Sequence, residues 1–187
     1  MIMNKFQDLS LFKMPKDFRG KNAFIVQLWW IIQSTFFFCS PQFFYSYRVW
    51  ILTLFGAKIG KNVKIRSSAK ITYPWKLTIG SNVWIGDDTV IYNLAHVSIG
   101  SNVAIAHRVY LCTGSHNIKK ITFDIESYPI FIDDEVWLPN DVYVGPGVTI
   151  GRGTVVASRS SAIKNLEPGI IAAGTPAKKI KNRLDAL

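Results

Sequence analysis

A chain of 187 residues with 49% apolar side chains is long enough to bury a core of its own and too apolar to stay disordered. Its net charge of +10 argues for an anionic neighbour, but no RNA-binding signature or DNA-reading helix pattern accompanies it, which argues against nucleic acid. Two cysteines, Cys39 and Cys112, do not make a disulfide framework and fit a reducing cytoplasm.

The first residues, MIMNKFQDLSLFKMPKDFRGK, are too polar for a cleavable signal. The charge is uneven along the chain. From Phe18 to Gly86 there are nine Lys or Arg and no Asp or Glu, whereas from Asp87 onward there are ten of each. The uncharged run Ala23 to Tyr47 has the length of a membrane span. Its scattered Gln, Ser and Thr, and Pro41 in its second half, favour one or two apolar helices instead. Such helices would lie on a membrane or pack against the next domain. The expected location is the cytoplasm, at the inner face of the membrane.

From Ile59 the sequence repeats. IGKNVKI begins at Ile59, IGSNVWI at Ile79 and IGSNVAI at Ile99, a period of twenty. Within each repeat an aliphatic residue recurs every six: Ile59, Ile65, Ile71, then Ile79, Ile85, Ile91, then Ile99, Ile105, Leu111. The sixes resume at Ile132, Leu138, Val144, Ile150 and Val156. Six is a multiple of the strand period of two, so each hexad reads as a short strand with its aliphatic residue turned inward. The recurrent glycine at the second place supplies the turn. Three strands per coil give a triangular prism, and hexapeptide repeats are a signature of the parallel β-helix.

A plain coil would repeat every 18 residues, so each 20-residue repeat carries two extra, both after the third strand. The long break at 117–131 falls on the same corner, and such an excursion from a solenoid edge is where binding sites are built. The expected organisation is an N-terminal helical segment (1–55), a β-helix (56–167) and a C-terminal cap with a short basic helix (168–187).

Three histidines are available. His116 stands where the long loop leaves, and a histidine at the mouth of a loop-covered groove suits a general base near neutral pH. Hexad phase puts Lys76, His96 and His116 in one column, with His96, one coil back, as a support or an acceptor contact, while His107 falls on another face. A thiol nucleophile at Cys112 is a weaker alternative. The histidine spacings and faces do not suit a zinc site.

The hexads, IAHRVYLCTGSHN, IDDEVWLPNDVYVGPGVTIG and AAGTPAKKI together resemble the hexapeptide-repeat acyltransferases. The likeness runs to the maltose, galactoside and nodulation O-acetyltransferases, and more closely to the colanic-acid-type exopolysaccharide acetyltransferases. It implies a left-handed parallel β-helix, a homotrimer with active sites between subunits, and acetyl-CoA as co-substrate without a metal. The family's catalytic histidine falls on His116. Its tryptophan falls on Trp137, lining the acceptor and thioester site, and an acceptor-binding asparagine on Asn93. Positions touching CoA fall near Asn140, Ser158, Lys164, Lys178 and Lys181. The implied acceptor is a hydroxyl of a sugar, free or nucleotide- or lipid-linked, in surface-polysaccharide assembly. Amino-sugar N-acetylation and a non-catalytic membrane-bound scaffold are the competing readings, and the apolar stretch 23–47 is the expected membrane contact. Asp133 and Pro139 stand where relatives carry glycine, and Asp133 to Glu135 put an acidic run beside the cleft.

Overall fold

A computed structural model describes residues 5–186. Strands of two to five residues stack in parallel into three sheets, which form the faces of a prism. Face A stacks Lys58–Ile59, Leu77–Ile79, Val97–Ile99, Ile130–Ile132 and Thr149–Ile150. Face B stacks Lys64–Ile65, Trp84–Ile85, Ala104–Ile105, Trp137–Leu138, Val155–Val156 and Ile170–Gly174. Face C stacks Lys70–Ile71, Val90–Tyr92, Tyr110–Cys112, Tyr143–Val144 and Ser161–Ala162. The register joins Ile59 to Ile79, Ile65 to Ile85 and Ile71 to Ile91, so the aliphatic residues of the hexads form columns inside the prism. This is the parallel β-helix that the repeats predict.

The hexad glycines do a different job from the expected one. The left-handed residues of the early corners are Asn62, Asn82 and Asn102, with φ of 55°, 59° and 58°, while Gly60, Gly80 and Gly100 have ordinary φ. Glycine is needed there because the coils approach too closely for a side chain. A Cβ on Gly80 would sit 2.7 Å from the carbonyl carbon of Gly100, and one on Gly86 would sit 2.6 Å from the backbone of Ala106. The asparagines tolerate the left-handed turn and bond one another from coil to coil, Asn62 Nδ2 to Asn82 Oδ1 at 3.1 Å and Asn82 Nδ2 to Asn102 Oδ1 at 3.2 Å.

The first coil has no preceding coil to bond, and the N-terminal segment closes it. Helix α1 (Ala23–Ile32), capped by Asn22, runs into a π-helical turn at Gln33–Phe37. There Ser34 and Thr35 hydroxyls bond the carbonyls of Trp30 and Ile31, in competition with the helical ladder. Helix α2 (Tyr45–Leu54) follows the break at Pro41. Trp29 Nε1 donates to Ile71 O at 2.8 Å, and Gln33 Oε1 accepts from Ile71 N at 2.6 Å. The fully buried Arg48 donates through Nε to Ile65 O at 2.6 Å. Its remaining nitrogens hold Ser40 Oγ, Pro41 O and Gln42 O, so the guanidinium ties the linker between the helices to the open edge of the prism. Burial lowers its pKa from the ordinary arginine value. Among the described residues no helix is long and apolar enough to cross a membrane.

At the far end the expected basic helix is absent. Residues Ala177–Asn182 form a strand antiparallel to Ile170–Gly174, and only a 3-10 turn at Leu184–Ala186 is helical. The turn Gly174–Thr175–Pro176 reverses the chain onto the last open strand of face B, and pairing there satisfies more backbone than a free helix would.

Gly80→Ala should therefore cost about 1–3 kcal/mol through overpacking between coils. Thermal unfolding should show the melting point falling by roughly 5 °C; an unchanged value would mean the corner yields to a methyl group.

Candidate active site

All the irregular stretches lie on one edge, where face C passes to face A. In the first two coils this edge carries the short extra turns 73–76 and 93–96. In the third it opens into a hairpin, Gly114–His116 paired antiparallel with Ile125–Ser127. Register shows what the hexad phase missed. Leu77 aligns with Val97 and Val97 with Ile130, so Lys76 and His96 do share a column, but its next member is Pro129. His116 has left the prism with the hairpin and pairs with Ile125.

His116 is half-buried at the end of the outgoing strand. Its Nδ1 lies 2.8 Å from Phe123 O, a bond in which the ring must donate. Its face lies on the Phe123 ring, centroids 4.2 Å apart and planes 7° from parallel, and Phe12 closes another side at 6.4 Å. A protonated Nδ1 leaves the Nε2 lone pair to accept a proton, the state a general base requires. The return strand supplies the holding groups: Asn117 N bonds Asp124 O, Asn117 Nδ2 donates to Glu126, and Tyr128 donates to Glu126.

The sequence carried only a faint signal for one further element. Residues 5–22 form a strap along this edge. Asp8 N donates to Ile121 O at 2.7 Å at the hairpin tip, Phe12 lies by His116, and Trp75 Nε1 donates to Arg19 O at 2.7 Å. Lys76 spends its ammonium under the strap, donating to Phe18 O and Leu94 O, and burial lowers its pKa. The only trace in the sequence is the apolar set Phe6, Leu9, Leu11, Phe12 and Phe18 in an otherwise polar start.

The other predicted positions divide. Asn93 is fully buried: its Oδ1 accepts from Tyr73 N and its Nδ2 donates to Tyr73 O and Lys76 O. It supports the extra turn of the preceding coil and is not available to an acceptor, which corrects the expected contact. An inserted turn leaves backbone groups that an inward polar side chain can satisfy. His96 lies by Thr78 Oγ1 at 3.1 Å, and burial, then Lys58, lowers its pKa. Cys112 donates to Gly114 O and neighbours Tyr143, whose hydroxyl is pushed up to about 12, mainly by burial. Among the described residues no group of three or more His, Cys, Asp or Glu is placed to hold a metal ion.

Trp137 stands on face B and is 48% exposed. With Trp84, Ala104, Lys64 and Arg183 it lines a cavity of about 840 Å³. Trp84, Ala104 and Trp137 are successive outward positions of the sheet. The two indoles are thus two coils apart, about 10 Å, with an alanine between them. Glu135 of the acidic run lies at the rim, bonded to Arg152, while Asp134 caps Ser101 N.

Asn140 and Ser158 share the B–C corner in adjacent coils, where Asn140 Oδ1 accepts from His107 N and Asn140 O from Arg159 N. Lys178 and Lys181 pair opposite Ala173 and Ile171 on the C-terminal hairpin, in the same sheet as Trp137. Lys164 stands exposed after the last strand of face C. The hairpin that carries His116 and this cavity are therefore on opposite parts of the prism, an edge and the face across from it.

The comparisons agree with this architecture. No family model matches the chain. It is 53% identical over 179 residues, 96% of this chain and 98% of the other, to an Escherichia coli protein named as a colanic acid biosynthesis acetyltransferase, WcaF. It is 31% identical to the galactoside O-acetyltransferase of E. coli over 67% of this chain and 63% of that one. Among solved structures, a hexapeptide-repeat acetyltransferase from Vibrio cholerae shares the fold with a TM-score of 0.80 at 21% identity, covering 90% of this chain and 99% of that one.

The imidazole geometry predicts that His116 is the Nδ1–H tautomer when neutral. Long-range ¹H–¹⁵N correlation spectra should show Nε2 as the unprotonated nitrogen; a protonated Nε2 would exclude it as the base.

Proposed function

The chain belongs to the hexapeptide-repeat acetyltransferases, the family of that colanic acid protein, and we propose that it moves an acetyl group from acetyl-CoA to a sugar hydroxyl in surface-polysaccharide assembly, with His116 as the base. The observation that carries this reading is the imidazole held by a backbone carbonyl through Nδ1, with Nε2 free to accept. His116 takes the proton of the acceptor hydroxyl as its oxygen attacks the thioester carbon. The C–S bond then breaks, and the imidazolium returns the proton to the departing sulfur. No covalent enzyme intermediate is needed, and Cys112, tied to Gly114, has no part.

The cavity on face B suits the acceptor. Two tryptophans about 10 Å apart across an alanine leave space for one sugar ring between apolar faces. The C-terminal hairpin suits CoA: among the described residues Lys178 and Lys181 are in no ion pair, while Lys179 is bound to Glu167 at 3.4 Å, so two cations remain for phosphates. Lys164, and Asn140 with Ser158 at the neighbouring corner, would contact the rest of the cofactor.

In a triangular prism the edge between faces C and A is opposite face B, so His116 cannot reach a sugar held by Trp137 of its own chain. A homotrimer in which the hairpin of one chain covers face B of the next completes the site.

Thiol release from acetyl-CoA against a panel of sugars and nucleotide sugars tests the reading. His116→Ala should lose about 10²–10⁴ in rate, and Trp84→Ala should raise the acceptor KM about tenfold. Release that survives in His116→Ala would overturn the assignment. Mixing His116→Ala with Trp137→Ala subunits should restore about a quarter of the sites if each is shared between chains; no recovery above the parents would place the site within one chain.

A further inference from the structure

The outward positions of the first coil differ from those of every later coil. In the first coil they are Lys58, Lys64 and Lys70, one on each face. The register partners in the second coil are Thr78, Trp84 and Val90, in the third Ser98, Ala104 and Tyr110, and in the fourth Phe131, Trp137 and Tyr143. Lys61, exposed at the corner between the first two strands, completes a collar of four ammonium groups around one end of the prism. The hexad pattern needs only the inward residue, so nothing in the fold requires lysine at all three outward places.

The cap beyond this collar turns apolar side chains to the outside. On α1 the residues packed on the prism include Val26 and Trp29, and the opposite stripe, Phe24, Leu28 and Ile31, is 75%, 37% and 58% exposed. On α2 the packed residues are Arg48, Ile51 and Leu52, while Trp50 and Leu54 are 59% and 67% exposed, and Phe43, in the linker just before the helix, is 74% exposed. Between the two helices an apolar groove of about 360 Å³ is lined by Phe36, Pro41, Phe44 and Tyr47 among others. No Asp or Glu occurs from Phe18 to Gly86, so no carboxylate of this segment offsets the lysines.

We infer that this end of the prism docks on an anionic lipid bilayer, with the aromatic cap entering the interface and the lysine collar meeting the headgroups. The dimensions agree. A helix is about 10 Å across, so the collar lies about that far behind the exposed tip, near the depth at which interfacial helices leave their cationic side chains among headgroups. Tryptophan, tyrosine and phenylalanine are the side chains that settle at such a boundary. A protein partner with an apolar face would not need lysines on all three faces of the prism. The cavity on face B begins at the same end, since Tyr45 of α2 and Lys64 of the collar both line it. On the acceptor reading above, a sugar carried on a membrane lipid would reach Trp84 without leaving the surface. The docking itself does not depend on that reading.

The full-length protein should sediment with vesicles of phosphatidylethanolamine containing about a third phosphatidylglycerol, at about 0.1 M salt, and much less with phosphatidylcholine vesicles. Lys58→Gln/Lys61→Gln/Lys70→Gln should weaken partitioning about 100-fold, taking the usual contribution of each lysine near a charged surface. Phe43→Ser/Trp50→Ser should abolish it even at low salt. Both variants should keep acetyl transfer to a water-soluble acceptor, which separates failure of docking from failure of the catalytic reading. No sedimentation with anionic vesicles, or equal binding by the lysine variant, would overturn the inference. So would concentration-dependent assembly beyond a trimer that Phe43→Ser/Trp50→Ser disperses, because the apolar face would then be covered by another copy.

Discussion

The backbone hydrogen bonds of this protein run from one coil to the next, and most of its structure follows from that. Lys64 N bonds Val83 O, Trp84 N bonds Val103 O and Ala104 N bonds Val136 O, each link joining strands far apart in sequence. Such a stack has two open ends, and an open sheet end in water invites association with other chains. The chain closes one with Trp29, Gln33 and Arg48 and the other with a folded-back strand. Arg48 shows the strength of the demand. A guanidinium is fully buried because the carbonyls at that edge and in the linker need donors.

The same stacking decides where chemistry can be placed. The insertions of this chain emerge at one edge, where the extra turns at 73–76 and 93–96 and the hairpin that carries His116 all leave the coils. The two short turns need internal support, which Asn93 and Thr113 provide from inside by bonding backbone there. The hairpin then orients His116 with a carbonyl of its own return strand, so the tautomer is set within a short loop, without a carboxylate relay.

The outward positions are left to function, because the prism does not use them. One set holds a lysine collar, another two indoles across an alanine, another the small or polar residues between. Along face B the outward residues, Lys64, Trp84, Ala104 and Trp137, run from the lysine collar to the centre of the cavity. Binding surfaces on a solenoid are thus written in register, one residue per coil.

The β-helix was legible because its signal is periodic and local: an aliphatic residue every six places can be counted without knowing any contact. His116 was legible as the histidine where the period breaks. Asn93, the Lys76 column and the C-terminal segment were misread because each depends on a neighbour distant in sequence, namely the preceding coil's turn, the return strand of the hairpin that carries His116 out of the prism, and the open edge of face B. The sequence by itself determined the coil, its inward columns and the edge at which it would be interrupted, since these rest on repeat spacing. Only the tertiary structure decided which glycine places were close contacts rather than turns, which nitrogen of His116 is free, and that His116 and the cavity lie on opposite parts of one chain, because these rest on distances between residues that the repeat brings together only when it is stacked.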